Sequence, residues 1–176
     1  MSLRTPDLHA RFLAPFDGEV LWHSDPAKKP LEGDLGPPSP LRFRAYVYNL
    51  IAGVGTKRDR EFKVSLRVPG QVGDEIGSFS HEGGRVALLV GICNDLDVFV
   101  LWDASLHPRF KSGWNLQVKT TTVLEAAALG YSEQMRRLTK TGATERVLAC
   151  QSSTLAEAVT RRVLLTGGEG GQDAAC

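Results

Sequence analysis

Val86-Ala87-Leu88-Leu89-Val90-Gly91-Ile92-Cys93, then Asn94-Asp95-Leu96-Asp97, then Val98-Phe99-Val100-Leu101-Trp102: this stretch decides the fold. Two apolar runs flank four residues of turn chemistry, which predicts a central β-hairpin. Toward the N-terminus, Phe62, Val64, Leu66 and Val68 alternate strictly with Glu61, Lys63, Ser65 and Arg67. That period belongs to a strand with one buried face and one exposed, mainly charged face. Phe43, Ala45 and Val47 alternate in the same way with Arg42, Arg44 and Tyr46. The stretch between these strands, Gly53-Val54-Gly55-Thr56-Lys57-Arg58-Asp59-Arg60, reads as a flexible basic connection. Toward the C-terminus a short strand is expected at residues 116–119, and then the period becomes helical. Thr122 and Glu125 form a T-x-x-E capping box. Leu124, Ala128, Tyr131, Met135 and Leu138 fall on one stripe, with Gly130 as a weak point. A strand at 146–150 follows, and a second capping box, Thr154 with Glu157, opens a helix to about Leu165. Strands first, then helix, strand and helix predict an α+β fold: a mixed, strongly curved, pseudobarrel-like sheet with two C-terminal helices packed on it.

The rest of the chain sets the boundaries. Pro15, Pro26, Pro30, Pro37, Pro38 and Pro40 punctuate the first forty residues, which predicts an irregular Pro-rich arm over 1–40. Phe16 and Trp22 suggest that part of the arm docks on the core. A single domain is expected over 41–166, and the Gly-rich segment 167–176 reads as a disordered tail. Apolar residues at 42% and charged residues at 23% are those of an ordinary globular domain. No apolar run approaches the ~20 residues that span a bilayer. The first residues carry no apolar leader core, so a cytoplasmic protein without membrane partners is expected. Cys93, Cys150 and Cys176 are far apart, and His9, His23, His81 and His107 do not cluster. The paired ligand spacings of a zinc site are missing, and no metal or cofactor is expected. Cys93 and Cys150 lie in apolar runs and read as buried thiols.

Chemistry has few places to reside. Net charge is +1, yet residues 41–68 hold seven basic residues against two acids, a local charge of +5 over 28 residues. Such a patch can supply phosphate contacts when the whole chain is nearly neutral. The Gly53-x-Gly55-Thr56-Lys57 loop lacks the spacing and the following helix of a phosphate loop. It reads either as a mobile hairpin loop or as a segment laid along a DNA backbone. Asp103 with Gln117-Val118-Lys119 has the strand order of a magnesium nuclease centre, but an acid that caps a turn and a solvated lysine fit those residues as well. Glu61-Phe62-Lys63 is a weaker imitation. No G-x-S-x-G nucleophile motif is present. Trp102, His107, Arg109, Lys111 and Trp114 lie around one loop. Trp102 is expected in the core and Trp114 exposed beside Ser112-Gly113, where an aromatic next to guanidinium and amide groups suits base reading or base extrusion.

Arg44-Ala45-Tyr46-Val47-Tyr48-Asn49-Leu50, the glycine loop, Arg60-Glu61-Phe62-Lys63-Val64, Leu88-Leu89-Val90-Gly91, Val98-Phe99-Val100-Leu101-Trp102-Asp103 and Asn115-Leu116-Gln117-Val118-Lys119 together resemble the N-terminal target-reading domain of modification-dependent or other restriction endonucleases. The resemblance covers residues 44–119. It implies a DNA-binding reader of a restriction or defence system, more a binding domain than an enzyme, with double-stranded DNA and a separate nuclease subunit or domain as partners. The expected DNA contacts are Arg42, Arg44, Lys57, Arg58 and Arg60 on phosphates, Tyr48, Asn49, Trp114 and Gln117 near the base, and Lys119 beside them. Two alternatives stand: a metal-dependent nuclease centred on Asp103, Gln117 and Lys119, and a non-catalytic interaction subunit using the Pro-rich arm and a helical face over 124–138.

Overall fold

The computed structural model describes residues 1–53 and 60–168 of the chain. Its elements, in order, are α1 (Thr5–Leu13), β1 (Val20–His23), β2 (Leu31–Leu35), β3 (Leu41–Asn49), β4 (Ile51–Ala52), β5 (Glu61–Leu66), β6 (Ile76–Gly77), β7 (Val86–Cys93), β8 (Val98–Trp102), β9 (Phe110–Lys111), β10 (Trp114–Lys119), α2 (Thr120–Leu129), β11 (Tyr131–Arg137), β12 (Thr144–Gln151) and α3 (Leu155–Gly168). β7 and β8 form the expected hairpin at the centre of a seven-stranded sheet of order β1-β2-β3-β7-β8-β12-β11. β3 runs parallel to β7 and the other neighbours are antiparallel, so the sheet is mixed. β1 and β11 do not pair with each other, so the sheet stays open rather than closing as a barrel.

Alternation along the central strands feeds two cores instead of one. Successive side chains in a strand point to opposite faces. Phe43, Ala45 and Val47, Leu88, Val90 and Ile92, Phe99 and Leu101, and Leu148 and Cys150 pack with Leu8 and Phe12 of α1 and Leu155 and Val159 of α3. Tyr46, Tyr48, Leu89, Val100, Trp102 and Val147 pack on the other side against Val123 and Ala126 of α2 and against Val64, Leu66, Leu116 and Val118. Those last four belong to a second sheet of order β10-β5-β4. The large sheet is therefore a middle layer, which is why its central strands read as nearly continuous apolar runs. β3 departs from the expected half-exposed strand: Arg44, Tyr46 and Tyr48 are covered by the second core and the 77–84 region.

Two further expectations are corrected. The first forty residues are not irregular, because α1 packs Leu8 and Phe12 into the core and β1 and β2 extend the large sheet. The prolines sit mainly in the turns between these elements. Gly33 of β2 lies directly against the fully buried Phe43 ring, so a Cβ there would enter its van der Waals surface. Gly33→Ala should destabilise the protein by about 1–3 kcal/mol through overpacking. Thermal unfolding that matches the wild type would mean that the ring swings aside freely.

The helix expected across 122–138 ends at Leu129. Gly130 adopts φ +88° as a left-handed cap, and the chain reverses into β11, which pairs with β12. Thr122 does not cap α2. Its Oγ1 donates to Gln134 Oε1 at 3.2 Å, and Ser132 Oγ donates to Glu125 at 2.8 Å, so both box residues tie α2 to β11. α3 forms as expected, although Thr154 Oγ1 donates to the Gly130 carbonyl instead of capping. Lys57, Arg58 and the 169–176 part of the expected tail lie outside the described residues.

His9 of α1 is 0% exposed, with Nδ1 2.7 Å from the Pro26 carbonyl and no partner for Nε2 among the described residues. Burial pushes its pKa down, helped by Lys29 and opposed by the Pro26 hydrogen bond. A pKa lower in the folded than in the unfolded chain gives stability that is present above the unfolded value, ~6.5, and lost as pH falls through the folded one. The wild type should lose stability between pH 7 and pH 5, and His9→Gln should lose less. Parallel losses in urea unfolding would remove His9 from this role.

Candidate functional site

Where the edge strand β10 faces the β11–β12 hairpin, the chain leaves a cleft of about 430 Å³. Its walls are residues 106–110, residues 114–117 and residues 136–141. The lining contains His107, Arg109, Arg136, Arg137 and Lys140 and no carboxylate. Among the described residues no acid pairs with Arg109, Arg137 or Lys140, all exposed. Trp114 stands at the rim, 40% exposed, with Lys140 Nζ 3.8 Å from its ring centroid. The Asn115 and Gln117 side-chain amides make no hydrogen bond within the described chain, which leaves donors and acceptors for a ligand.

Each wall has a local cause. The β5–β10 register sets Asn115, Gln117 and Lys119 opposite Ser65, Lys63 and Glu61 on the polar face, and Leu116 and Val118 opposite Val64 and Phe62 on the other. The hairpin turn is closed by Gly142, whose N–H donates to the Leu138 carbonyl at 2.8 Å, and it carries Lys140. The Arg136 guanidinium and the Trp102 indole both donate to the Gln117 carbonyl, at 3.1 and 3.3 Å, so β10 is locked to the large sheet.

Beneath the cleft lies a buried ionic network. Glu145 is 0% exposed. It accepts from Arg136 Nε at 2.6 Å and the Asp103 N–H at 3.2 Å, and its Oε1 lies 2.8 Å from His107 Nε2. Burial alone would push its carboxyl up; the His107 hydrogen bond and the Arg136 charge outweigh this and hold it below the usual carboxylate range. Asp103 is buried as well. One carboxylate oxygen caps a 3₁₀ turn by accepting from Ser105 N and Oγ, and the other accepts from Arg162 at 3.2 Å. Both oxygens are thus engaged inside the fold. No group of three or more His, Cys, Asp or Glu side chains able to hold a metal ion occurs among the described residues.

The expected DNA contacts separate into groups. Trp114 and Gln117 both border the cleft. Lys119 lies exposed at the far end of β10, opposite Glu61 and beside Arg60, whose carbonyl accepts from the Thr120 N–H at 2.8 Å. Arg42 is exposed on β3, four strands across the sheet from β11, and sits 3.6 Å from Asp34. Three others have intramolecular work. Arg44 is 9% exposed and donates to Glu32, to the Ser80 carbonyl and hydroxyl and to the Glu82 carbonyl. Tyr48 is buried and donates to the Arg67 carbonyl at 3.0 Å. Asn49 exchanges two hydrogen bonds with the backbone of Leu3, fixing the entry to α1. Arg136, Arg137 and Lys140 were outside the expected set, because the stretch carrying them reads as a helix. Gly130, followed by the Thr139-Lys140-Thr141-Gly142 turn, was the available signal.

Residues 41–159 match the family described as methylase-associated X1. They make up 119 of the 176 residues. The chain belongs to this family. The methylase-associated X1 match spans every wall of the cleft, the whole core that holds Trp102 and most of the other, to which α1 and β2, ahead of the match, add Leu8, Phe12, Leu31 and Leu35. It supports association with methylases, and not specifically the likeness to an endonuclease target-reading domain drawn from residues 44–119. No curated relative and no solved structure matches the chain. Among the described residues no helix of this methylase-associated X1 chain is long and apolar enough to cross a membrane.

Proposed function

We propose that this methylase-associated domain is a DNA-binding module of a restriction–modification system, reading a site for an enzyme carried on another domain or subunit. The observation that carries the reading is the cleft, lined by no carboxylate among the described residues, with Trp114 at its rim and Arg109, Arg137 and Lys140 around it without an acidic partner among those residues. Cations not neutralised by an acid attract phosphates and release counterions on binding. An exposed aromatic next to free amides is the equipment of base recognition. Lys119 and Arg60 extend the same strand pair and would lengthen the phosphate track. The buried, fully engaged Asp103 favours binding over magnesium-dependent cleavage.

A second surface suits the methylase side of the association. α2 turns Leu124 and Leu129 to solvent, the latter 79% exposed, on the face away from the second core. Such apolar exposure suits a protein partner that is present while the cleft holds DNA.

The test is a mobility-shift series on unmodified, cytosine-methylated and phosphorothioated duplexes at two salt concentrations with EDTA. Binding that weakens with salt is expected, with one duplex class preferred. Failure to shift any duplex at low salt would sink the DNA reading and leave the α2 surface as the functional face.

A further inference from the structure

We infer that the cleft takes a DNA base that is unpaired, either turned out of the duplex or in a single strand, and stacks it against Trp114. The inference rests on the DNA reading above and specifies what enters the site. Its basis is shape. A duplex is read in the major groove by an element that protrudes into it. Here Trp114, Asn115 and Gln117 border a concavity between β10 and the residue 138–141 turn, so no protruding element carries them. A paired base cannot reach into such a recess, whereas an unstacked one can. The volume, about 430 Å³, is in the range of sites that enclose one small ligand.

The chemistry of the walls agrees with the shape. Trp114 offers a π-face, and Lys140 lies over it at 3.8 Å as a cation that an incoming base can displace toward its own phosphate. Asn115 and Gln117 can each offer both a donor and an acceptor to a base edge. Arg109 and Arg137 stand exposed where the flanking phosphates would pass. The floor is firm, since Arg136 is held by Glu145 and bridges to the Gln117 carbonyl.

The experiment compares three probes of one sequence by fluorescence anisotropy in EDTA: a fully paired duplex, the same duplex with one unpaired central base, and the single strand. The duplex with the unpaired base should bind roughly 5- to 150-fold tighter than the paired one, the span that base–aromatic stacking commands. A single strand that binds as tightly as that duplex would identify single-stranded DNA as an equal source of the base. Trp114→Ala should abolish the preference, and Trp114→Phe should retain most of it; the side chain stands at the rim, so neither change opens the core. Equal, salt-sensitive binding of all three probes, unchanged by Trp114→Ala, would overturn this inference and leave the DNA reading intact. No binding to any probe would overturn both.

Discussion

Glu145→Ala should lower the stability of the protein by about 3–5 kcal/mol, the largest loss expected from any single polar substitution here. The carboxylate is wholly buried and serves Arg136, His107 and the Asp103 N–H together. Removing it leaves Arg136 Nε, the His107 ring nitrogen and the Asp103 N–H without this acceptor at a largely buried position, while Arg136 keeps only the Gln117 carbonyl, and each orphaned group bears desolvation cost. For a domain of this length ~1 kcal/mol corresponds to a shift of roughly 2–4 °C, so the midpoint should fall by about 6–20 °C. Glu145→Gln retains an acceptor for the Asp103 N–H but no charge for Arg136, and should fall between alanine and wild type. The acid side carries the same information. The folded carboxyl titrates below the unfolded one, so its contribution is present above the unfolded value, ~4.3, and is lost as pH falls through the folded value. The acid limb of the stability profile should therefore flatten in Glu145→Gln. A midpoint within about 1 °C of wild type for Glu145→Ala would mean that the network beneath the cleft is dispensable.

The same network shows which parts of the fold sequence patterning could reach. The β7–β8 hairpin was legible because both partners are adjacent in the chain and the turn residues stand between them. β5, β10 and β12 followed from alternation or short apolar runs alone. Helix α3 was legible too, although Thr154 serves the Gly130 carbonyl instead of the expected cap. β11 was not legible, because Leu124, Ala128, Tyr131, Met135 and Leu138 satisfy a helical stripe while Ser132, Gln134 and Arg136 make polar contacts to α2, to β10 and to Glu145. Strand order in β11 comes from pairing with β12, a partner beyond the turn, and a local period does not contain it. β1 and β2 were hidden for a similar reason. The prolines around them mark turns, but β2 takes its strand hydrogen bonds from β3, and β1 pairs in turn with β2. Site residues divided along this line: Trp114 and Gln117 sit on a strand that alternation revealed, whereas Arg137 and Lys140 sit on the hairpin that reads as helix. Arg44 and Tyr48 were credible contacts while β3 had an outer face, and β3 has none at those positions.

Replacing Arg109, Arg137 and Lys140 together by alanine should cut DNA affinity most at low salt and make binding less dependent on salt. Each phosphate neutralised on duplex DNA adds about 0.9 to the slope of log affinity against log salt. Removing three such cations should flatten that slope by about 2.7, so between 50 and 200 mM salt the wild type should lose roughly 40-fold more affinity than the variant. The substitutions are well suited to this reading because the three side chains are exposed and none pairs with an acid among the described residues. Stability should stay within about ±0.5 kcal/mol, apart from the small contribution of Lys140 over Trp114. Lysine at positions 109 and 137 serves as the control: it preserves charge, and therefore slope, but not the planar fork of arginine. A variant with unchanged slope and lowered affinity would place these residues on bases instead of phosphates. Parallel slopes with equal affinity would show that DNA, if bound, lies elsewhere on the protein. The slope decides because it counts ions displaced, a quantity that a general loss of folding would not change by a fixed amount per cation.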